Sequence, residues 1–178
     1  MGRIITKGKW TEVTASVTNL SELNKPFIKW GIPAADPKGG QSGYEFVPVS
    51  AHAHLDGTEF VLGTFIHHNW AVIMTEASEF SAVLDLDVYF EDDKKSHKFK
   101  ATFGHLETAN VPTYQDDIVT LPTIDEPDFV HVDGVEYRVT ITGFSRDGYA
   151  VPKFRSPEGE KNEADIVAKF QPTNSLGG

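Results

Sequence analysis

The clearest structural signal in the chain is the stretch Ala82–Phe90, which reads AVLDLDVYF. Small or apolar residues alternate with residues that include Asp85 and Asp87. A period of two is typical of a β-strand with one buried and one solvent-facing side. The residues predicted to face the core are Ala82, Leu84, Leu86, Val88 and Phe90.

Two hairpins extend this pattern along the chain. The charged segment Glu91–Lys95 leads into Lys98–Phe103, which is predicted to pair with the first strand. Further on, the dipeptide Asp133-Gly134 separates Phe129–Val132 from Val135–Ile141. A type I′ turn needs positive φ at both central positions, which Asp-Gly supplies, so a tight hairpin is predicted there.

The remaining segments also favour strands separated by turns. We count about nine or ten strands and find helix hard to place, which indicates an all-β, two-sheet antiparallel β-sandwich of jelly-roll-like type. Residues 1–171 are predicted to form one domain, with 172–178 as a flexible tail or linker stub. The other predicted strands are Thr11–Val17, Phe27–Trp30, Tyr44–His52, Thr58–Ile66 and Ala164–Phe170.

Composition excludes several classes of partner. The 178 residues carry 26 acidic and 16 basic side chains, for a net charge of −10. Nucleic acid requires a clustered positive field, so it is not expected as a partner.

No run approaches the roughly 20 apolar residues of a membrane span, so this domain is not expected to insert into a membrane. The start MGRIITKGKW has no signal-peptide core, but a leader removed earlier would give the same start.

The stretch Phe60–Val72, FVLGTFIHHNWAV, carries the strongest functional signal. An apolar strand pattern stops at His67, His68 and Asn69, which do not belong in an apolar run. The strand is therefore predicted to end there and to deliver a polar and aromatic patch to the edge of a sheet. The alternative is that the histidines merely end a strand in solvent.

Aromatic residues near this patch predict what it binds. Sugar rings stack on aromatic faces, and sugar hydroxyls need side chains such as Asn, Asp or His. A glycan or another extracellular polymer is therefore the predicted ligand, although tryptophan more often serves a core. The predicted ligand-binding residues are His67, His68, Asn69, Trp70, Tyr44 and Trp30.

Several stretches together resemble a known family. They are Trp30–Pro33, Ser42–Phe46, Phe60–Val72 with its Leu-Gly-Thr-Phe core, Ala82–Val88, and Phe154–Glu158 followed by Asn162 and Ala164. In this order they resemble the choice-of-anchor K domain of bacterial secreted and surface proteins, over roughly Trp10 to Phe170. Ile66 stands where the family has threonine. The resemblance implies a non-catalytic β-sandwich module that is exported and attached to the cell envelope.

The sequence offers three possible metal sites. Asp85 and Asp87 lie on one strand face near further carboxylates, and such oxygen clusters can bind structural calcium, although the pattern favours a solvated charged face. The pattern His52-x-His54-x-Asp56 imitates a zinc hydrolase signature, but the required α/β context is missing. A chance site joining His67 or His68 to His52 or His54 is a further alternative.

The sequence therefore predicts a non-enzymatic recognition module, monomeric within a larger secreted or cell-surface protein. No catalytic residues are assigned, and no cofactor is expected other than structural calcium. One alternative is a structural spacer of a surface adhesin, stabilised by calcium. Another is a metal-dependent hydrolase that uses the histidine-rich edge.

Overall fold

A computed structural model describes residues 2–34, 39–108, 116–124 and 129–173. Within these ranges there is no helix, and hence no helix that could span a membrane. Residues 174–178 of the predicted tail lie outside the described residues, and Pro172 belongs to the last strand. The strands are β1 Gly2–Val13, β2 Phe27–Trp30, β3 Ile32–Pro33, β4 Ser42–Val47, β5 Ser50–Ala53, β6 Phe60–Asn69, β7 Val72–Ile73, β8 Glu79–Phe90, β9 Lys95–Leu106, β10 Asp117–Ile124, β11 Phe129–Val132, β12 Val135–Arg146, β13 Tyr149–Val151, β14 Lys153–Ser156 and β15 Glu160–Pro172.

These strands form two large antiparallel sheets. The six-stranded sheet has the order β14-β10-β9-β8-β1-β5, and the seven-stranded sheet has the order β11-β12-β15-β6-β4-β2, with β13 paired to β12. Strands β3 and β7 form a separate pair. The predicted class, an all-β antiparallel sandwich, is confirmed.

The core lies between the inner faces of the two sheets. Leu84, Leu86, Val88 and Phe90 are all at most 5% exposed, as the alternation in β8 predicts. At the centre, the ring of Phe65 stacks on Phe103 with ring centroids 5.3 Å apart. Four further aromatic rings surround Phe65, namely those of Trp10, Tyr44, Phe144 and Phe154.

The Asp133-Gly134 hairpin forms as predicted. Val132 pairs with Val135, and the two residues between them have φ of 50° and 78°.

Gly134→Val is expected to lower the free energy of unfolding by about 1–2 kcal/mol, because a β-branched residue resists positive φ. Urea denaturation measures this change. Val135→Thr, at the adjacent exposed position with ordinary strand geometry, is the control and is expected to change stability little. Equal stability of Gly134→Val and the wild type would contradict the turn assignment.

The strand expected to end at Ile66 instead continues to Asn69. Strand β6 lies between β15 and β4, and both neighbours continue to pair with it. His67 lies opposite Asn162 on one side and Tyr44 on the other. Because β6 is paired on both sides, the strand continues through His67, His68 and Asn69. This pairing outweighs the preference of Asn69 for a turn.

Candidate functional site

Five titratable side chains meet between the sheets at one end of the aromatic core. Here they are called the His–carboxylate cluster. The seven-stranded sheet contributes one of them and the six-stranded sheet contributes two, while the other two come from the residues after β9 and after β14. The members are His67, His105, Glu107, Asp117 and Glu158.

Strand alternation explains why these residues point inward. His67 follows Phe65 by two positions in β6, and His105 follows Phe103 by two positions in β9. All four are at most 2% exposed. The apolar inner faces therefore pass directly into a polar cluster, where the rings of His67 and His105 lie 5.3 Å apart.

A buried network holds the ring of His67. Its Nδ1 lies 2.7 Å from Ser156 Oγ, which accepts a further hydrogen bond of 2.9 Å from Asn162 Nδ2. Asn69 Nδ2 donates to the backbone oxygen of Ser156 at 2.7 Å. His67 Nε2, in contrast, has no hydrogen-bond partner in the described part of the chain.

His105 is held from both sides of its ring. Nδ1 is hydrogen-bonded to the hydroxyl group of Tyr44. Nε2 lies 3.2 Å from Glu107 Oε2, which also accepts a hydrogen bond of 3.1 Å from the indole of Trp30. The same Nε2 lies 4.0 Å from Asp117 Oδ2.

The carboxylates of the cluster are only partly satisfied. Asp117 Oδ1 accepts hydrogen bonds from the backbone nitrogen and the hydroxyl of Thr108, at 2.8 and 3.1 Å. Among the described residues, no group forms a hydrogen bond with Asp117 Oδ2, Glu107 Oε1 or either oxygen of Glu158, and all four atoms are shielded from solvent. Buried polar atoms in this state are costly, and several of them in one place call for an explanation.

Burial and mutual repulsion shift the pKa values of the cluster. Burial, followed by the neighbouring Glu107, raises the pKa of Asp117 to about 8 and that of Glu158 to about 7. Burial, followed by the charges of His105 and His68, holds the pKa of His67 well below its usual range. His67 is therefore a neutral imidazole at physiological pH.

The metal-free chain is expected to lose stability as pH rises from about 6.5 to about 8. In this window folded Asp117 retains a proton that the unfolded chain has released, so unfolding becomes easier as pH increases. Glu158 contributes to the loss of stability in the same way up to about pH 7. His67 has the opposite effect only below its ordinary pKa of 6.5, because above that pH the imidazole is neutral in both the folded and the unfolded chain. The expected loss is about 2 kcal/mol. Chemical denaturation with chelator present measures it, and a flat profile would contradict the assigned pKa shifts.

The residues predicted to form an exposed ligand-binding face do not form one. Trp30, Tyr44, His67 and Asn69 are fully buried, because the strands that carry them turn these side chains toward the opposite sheet. The expectation that they stack on a ligand at the surface is therefore corrected.

The other two predicted residues lie apart from this group. His68 is 6% exposed and faces away from His67, where it pairs with Glu45 at 2.7 Å and stacks on Phe27. Trp70 is half-buried, and its ring lies close to Gly39. The structure therefore brings His67, Tyr44, Trp30 and Asn69 together, but inside the sandwich.

Sequence reasoning did not identify four members of the cluster, namely His105, Glu107, Asp117 and Glu158. One signal was present. Phe103, His105 and Glu107 continue a period of two, which places a histidine and a glutamate on a buried strand face.

Lysines surround the carboxylates predicted to hold calcium. Asp85 lies directly between Lys9 and Lys100, and Asp87 lies between Lys7 and Lys98. Residues paired in this way share one sheet face, so the pair forms part of a mixed-charge surface. In the described ranges, the group of three or more side chains placed to hold a metal is instead His67, His105 and Asp117.

A groove crosses the outer face of the six-stranded sheet above the cluster, with a volume of roughly 540 Å³. Ser81, Gly104 and Thr120 lie side by side in register across its floor, and Lys153 pairs with Thr120 at one side. A Cβ atom at position 104 would lie 2.3 Å from Thr120 Oγ1, so any larger residue there would displace the Thr120 hydroxyl. His105 also borders the groove, but its side chain is buried on the inner face, so the groove lies over this part of the cluster.

No family model matches the chain, and no curated protein matches it. Strand β6 and the segment Phe154–Glu158 converge in space. Strand β6 supplies His67 to the cluster and the segment supplies Glu158, while Asn69 and Ser156 from the same stretches are hydrogen-bonded to each other beside His67. The fold and these contacts define a β-sandwich with a buried His–carboxylate cluster beneath an open polar groove.

Proposed function

We propose that the protein is a non-catalytic recognition module of a secreted or cell-surface protein, and that it binds an extended glycan or similar polymer in the groove of the six-stranded sheet. The observation that carries this proposal is the groove itself. Its volume falls within the range of about 300–1,000 Å³ that is usual for ligand sites.

The chemistry of the groove supports a hydroxylated ligand. Ser81 and Thr120 offer hydroxyl groups that can both donate and accept hydrogen bonds, whereas the hydroxyl of Thr14 is already hydrogen-bonded to the backbone of Ser81. Lys153 adds a cation and Glu79 adds an anion at its borders. A sugar chain presents the matching donors and acceptors along its length.

The distribution of acidic groups supports binding rather than hydrolysis. Glycoside hydrolysis uses two carboxyl groups that flank the scissile bond. Glu79 is the carboxylate among the described residues that line the groove, while Asp117 is fully buried and Glu158 lies half-buried in the turn after β14. Among the described residues, the groove therefore lacks the paired acids that would cleave a bound polymer.

Binding of the isolated chain to a glycan array tests this function. Ser81→Arg fills the groove and is expected to abolish binding to the glycans that the wild type retains. Ser96→Arg makes the same change on β9 outside the groove, at an exposed position, and is expected to leave binding unchanged.

Three outcomes would contradict the proposal. An array with no bound glycan would favour the structural spacer. Equal loss of binding in both arginine variants would remove the groove as the site. Release of reducing ends from a bound polymer would show that the module is catalytic.

A further inference from the structure

The His–carboxylate cluster has the donor set of a metal site. One donor atom from each of His67, His105 and Asp117 lies within 4.8 Å of the other two. His67 Nε2 and Asp117 Oδ2 have no hydrogen-bond partner among the described residues, and the same is true of Glu107 Oε1. Several unpaired acceptors in one buried place repel one another, and a cation would satisfy all of them together.

We propose that His67, His105 and Asp117 bind one divalent transition-metal ion of the zinc class, with Glu107 as the fourth ligand. The site goes beyond the proposed recognition function and does not depend on it.

The ligand types select the metal. Zinc binds imidazole nitrogen and carboxylate oxygen, and in structural sites it takes four ligands in a tetrahedron. Calcium and magnesium prefer sites made wholly of oxygen, which two histidines do not provide. The carboxylates of Asp117 and Glu107 balance the two positive charges of such an ion.

Hydrogen bonds behind the histidines orient them toward the ion. Histidine ligands usually place their second ring nitrogen on a fixed partner. Ser156 Oγ lies 2.7 Å from Nδ1 of His67, and the Tyr44 hydroxyl is hydrogen-bonded to Nδ1 of His105. Nδ1 of each ring can donate to these oxygens when the ion binds, which leaves both Nε2 atoms as ligands; His105 Nε2 then exchanges its contact with Glu107 Oε2 for the ion.

The distances require only a small contraction. Tetrahedral zinc with bonds of about 2.0–2.2 Å places its ligand atoms roughly 3.3 Å apart. His105 Nε2 and Asp117 Oδ2 are 4.0 Å apart, and the donor atoms of His67, His105 and Asp117 all lie within 4.8 Å of one another, so these separations shorten by at most about 1.5 Å when the three ligands close on an ion.

The position of the site gives the ion a structural role. His67 belongs to the seven-stranded sheet, while His105 and Asp117 belong to the six-stranded sheet. All three are at most 2% exposed, which leaves no open position for a substrate. The ion therefore joins the two sheets directly beneath the groove.

Metal content and thermal unfolding of the full chain test the proposal. The chain is stripped with chelator, loaded with Zn²⁺ and desalted. We expect one zinc per chain and a higher melting temperature than in chelator, whereas Ca²⁺ produces neither. Asp117→Asn and His67→Gln are expected to lower zinc affinity more than about 100-fold, because loss of a ligand exceeds the 10–100-fold effect of losing a supporting hydrogen bond.

A double variant controls for zinc held at the surface. His52 and His54 lie near the β5 edge, and His52→Gln with His54→Gln is expected to keep the full zinc content. Absence of zinc from the loaded wild type, or its loss in this double variant, would overturn the proposal. So would retention of zinc in both cluster variants.

If a cluster variant fails to fold, the absorption spectrum of Co²⁺ bound to the wild-type chain tests the site without any variant. Co²⁺ bound by the wild-type chain is expected to show the strong visible absorption of a tetrahedral site with nitrogen and oxygen ligands. Weak absorption, typical of six-coordinate cobalt on surface groups, would contradict the proposed site.

Discussion

Phe65→Ala is expected to lower the free energy of unfolding by about 3–5 kcal/mol, which is a large part of the stability of most domains. Phe65 is fully buried, and its ring contacts aromatic rings from both sheets, including Phe103 and Phe144. Truncation leaves a cavity that rigid neighbouring rings cannot fill. Urea denaturation followed by tryptophan fluorescence measures the change.

Tyr149→Ala is the matched control for this variant. The side chain of Tyr149 is 76% exposed at the turn into β13, so its loss is expected to change stability by less than about 0.5 kcal/mol. If Phe65→Ala lowered the free energy of unfolding no more than Tyr149→Ala does, the placement of Phe65 at the centre of the core would be wrong.

Asp117→Asn is expected to change stability in opposite directions with and without zinc. In chelator at pH 8, the variant is expected to be more stable than the wild type, because it removes a buried group whose ionisation opposes folding. Asparagine also keeps an oxygen for the two hydrogen bonds from Thr108. With zinc at about 1,000 times the dissociation constant, the wild type is expected to gain about 4 kcal/mol, which the variant does not.

The control for this reversal is Asp85→Asn, which removes a carboxylate from the lysine-flanked outer face. It is expected to keep the full response to zinc. A response to zinc in Asp117→Asn equal to that of the wild type would show that Asp117 is not a ligand.

The sequence predicted the fold because its decisive signals are local. The alternation in Ala82–Phe90 and the Asp133-Gly134 turn each specify geometry over a few residues. The end of β6 could not be predicted in this way. His67, His68 and Asn69 have poor strand propensity, but pairing with β4 and β15 on both sides outweighs that preference.

The candidate site could be predicted only in part, because it is assembled from distant segments. The sequence singled out His67 as a functional residue but placed it at an open edge. Its neighbours in space, His105 and Asp117, come from the opposite sheet. Local patterns indicate which face of a strand is buried, but they do not indicate which strands of two sheets face one another.

The central claim, that the His–carboxylate cluster holds a metal ion beneath the groove, is tested most directly by anomalous X-ray diffraction. Crystals of the zinc-loaded chain are measured on both sides of the zinc absorption edge. We expect one anomalous peak about 2.0–2.2 Å from His67 Nε2, His105 Nε2 and an oxygen of Asp117. Peaks at surface histidines alone, with ordered water hydrogen-bonded to the cluster in place of the ion, would contradict the account.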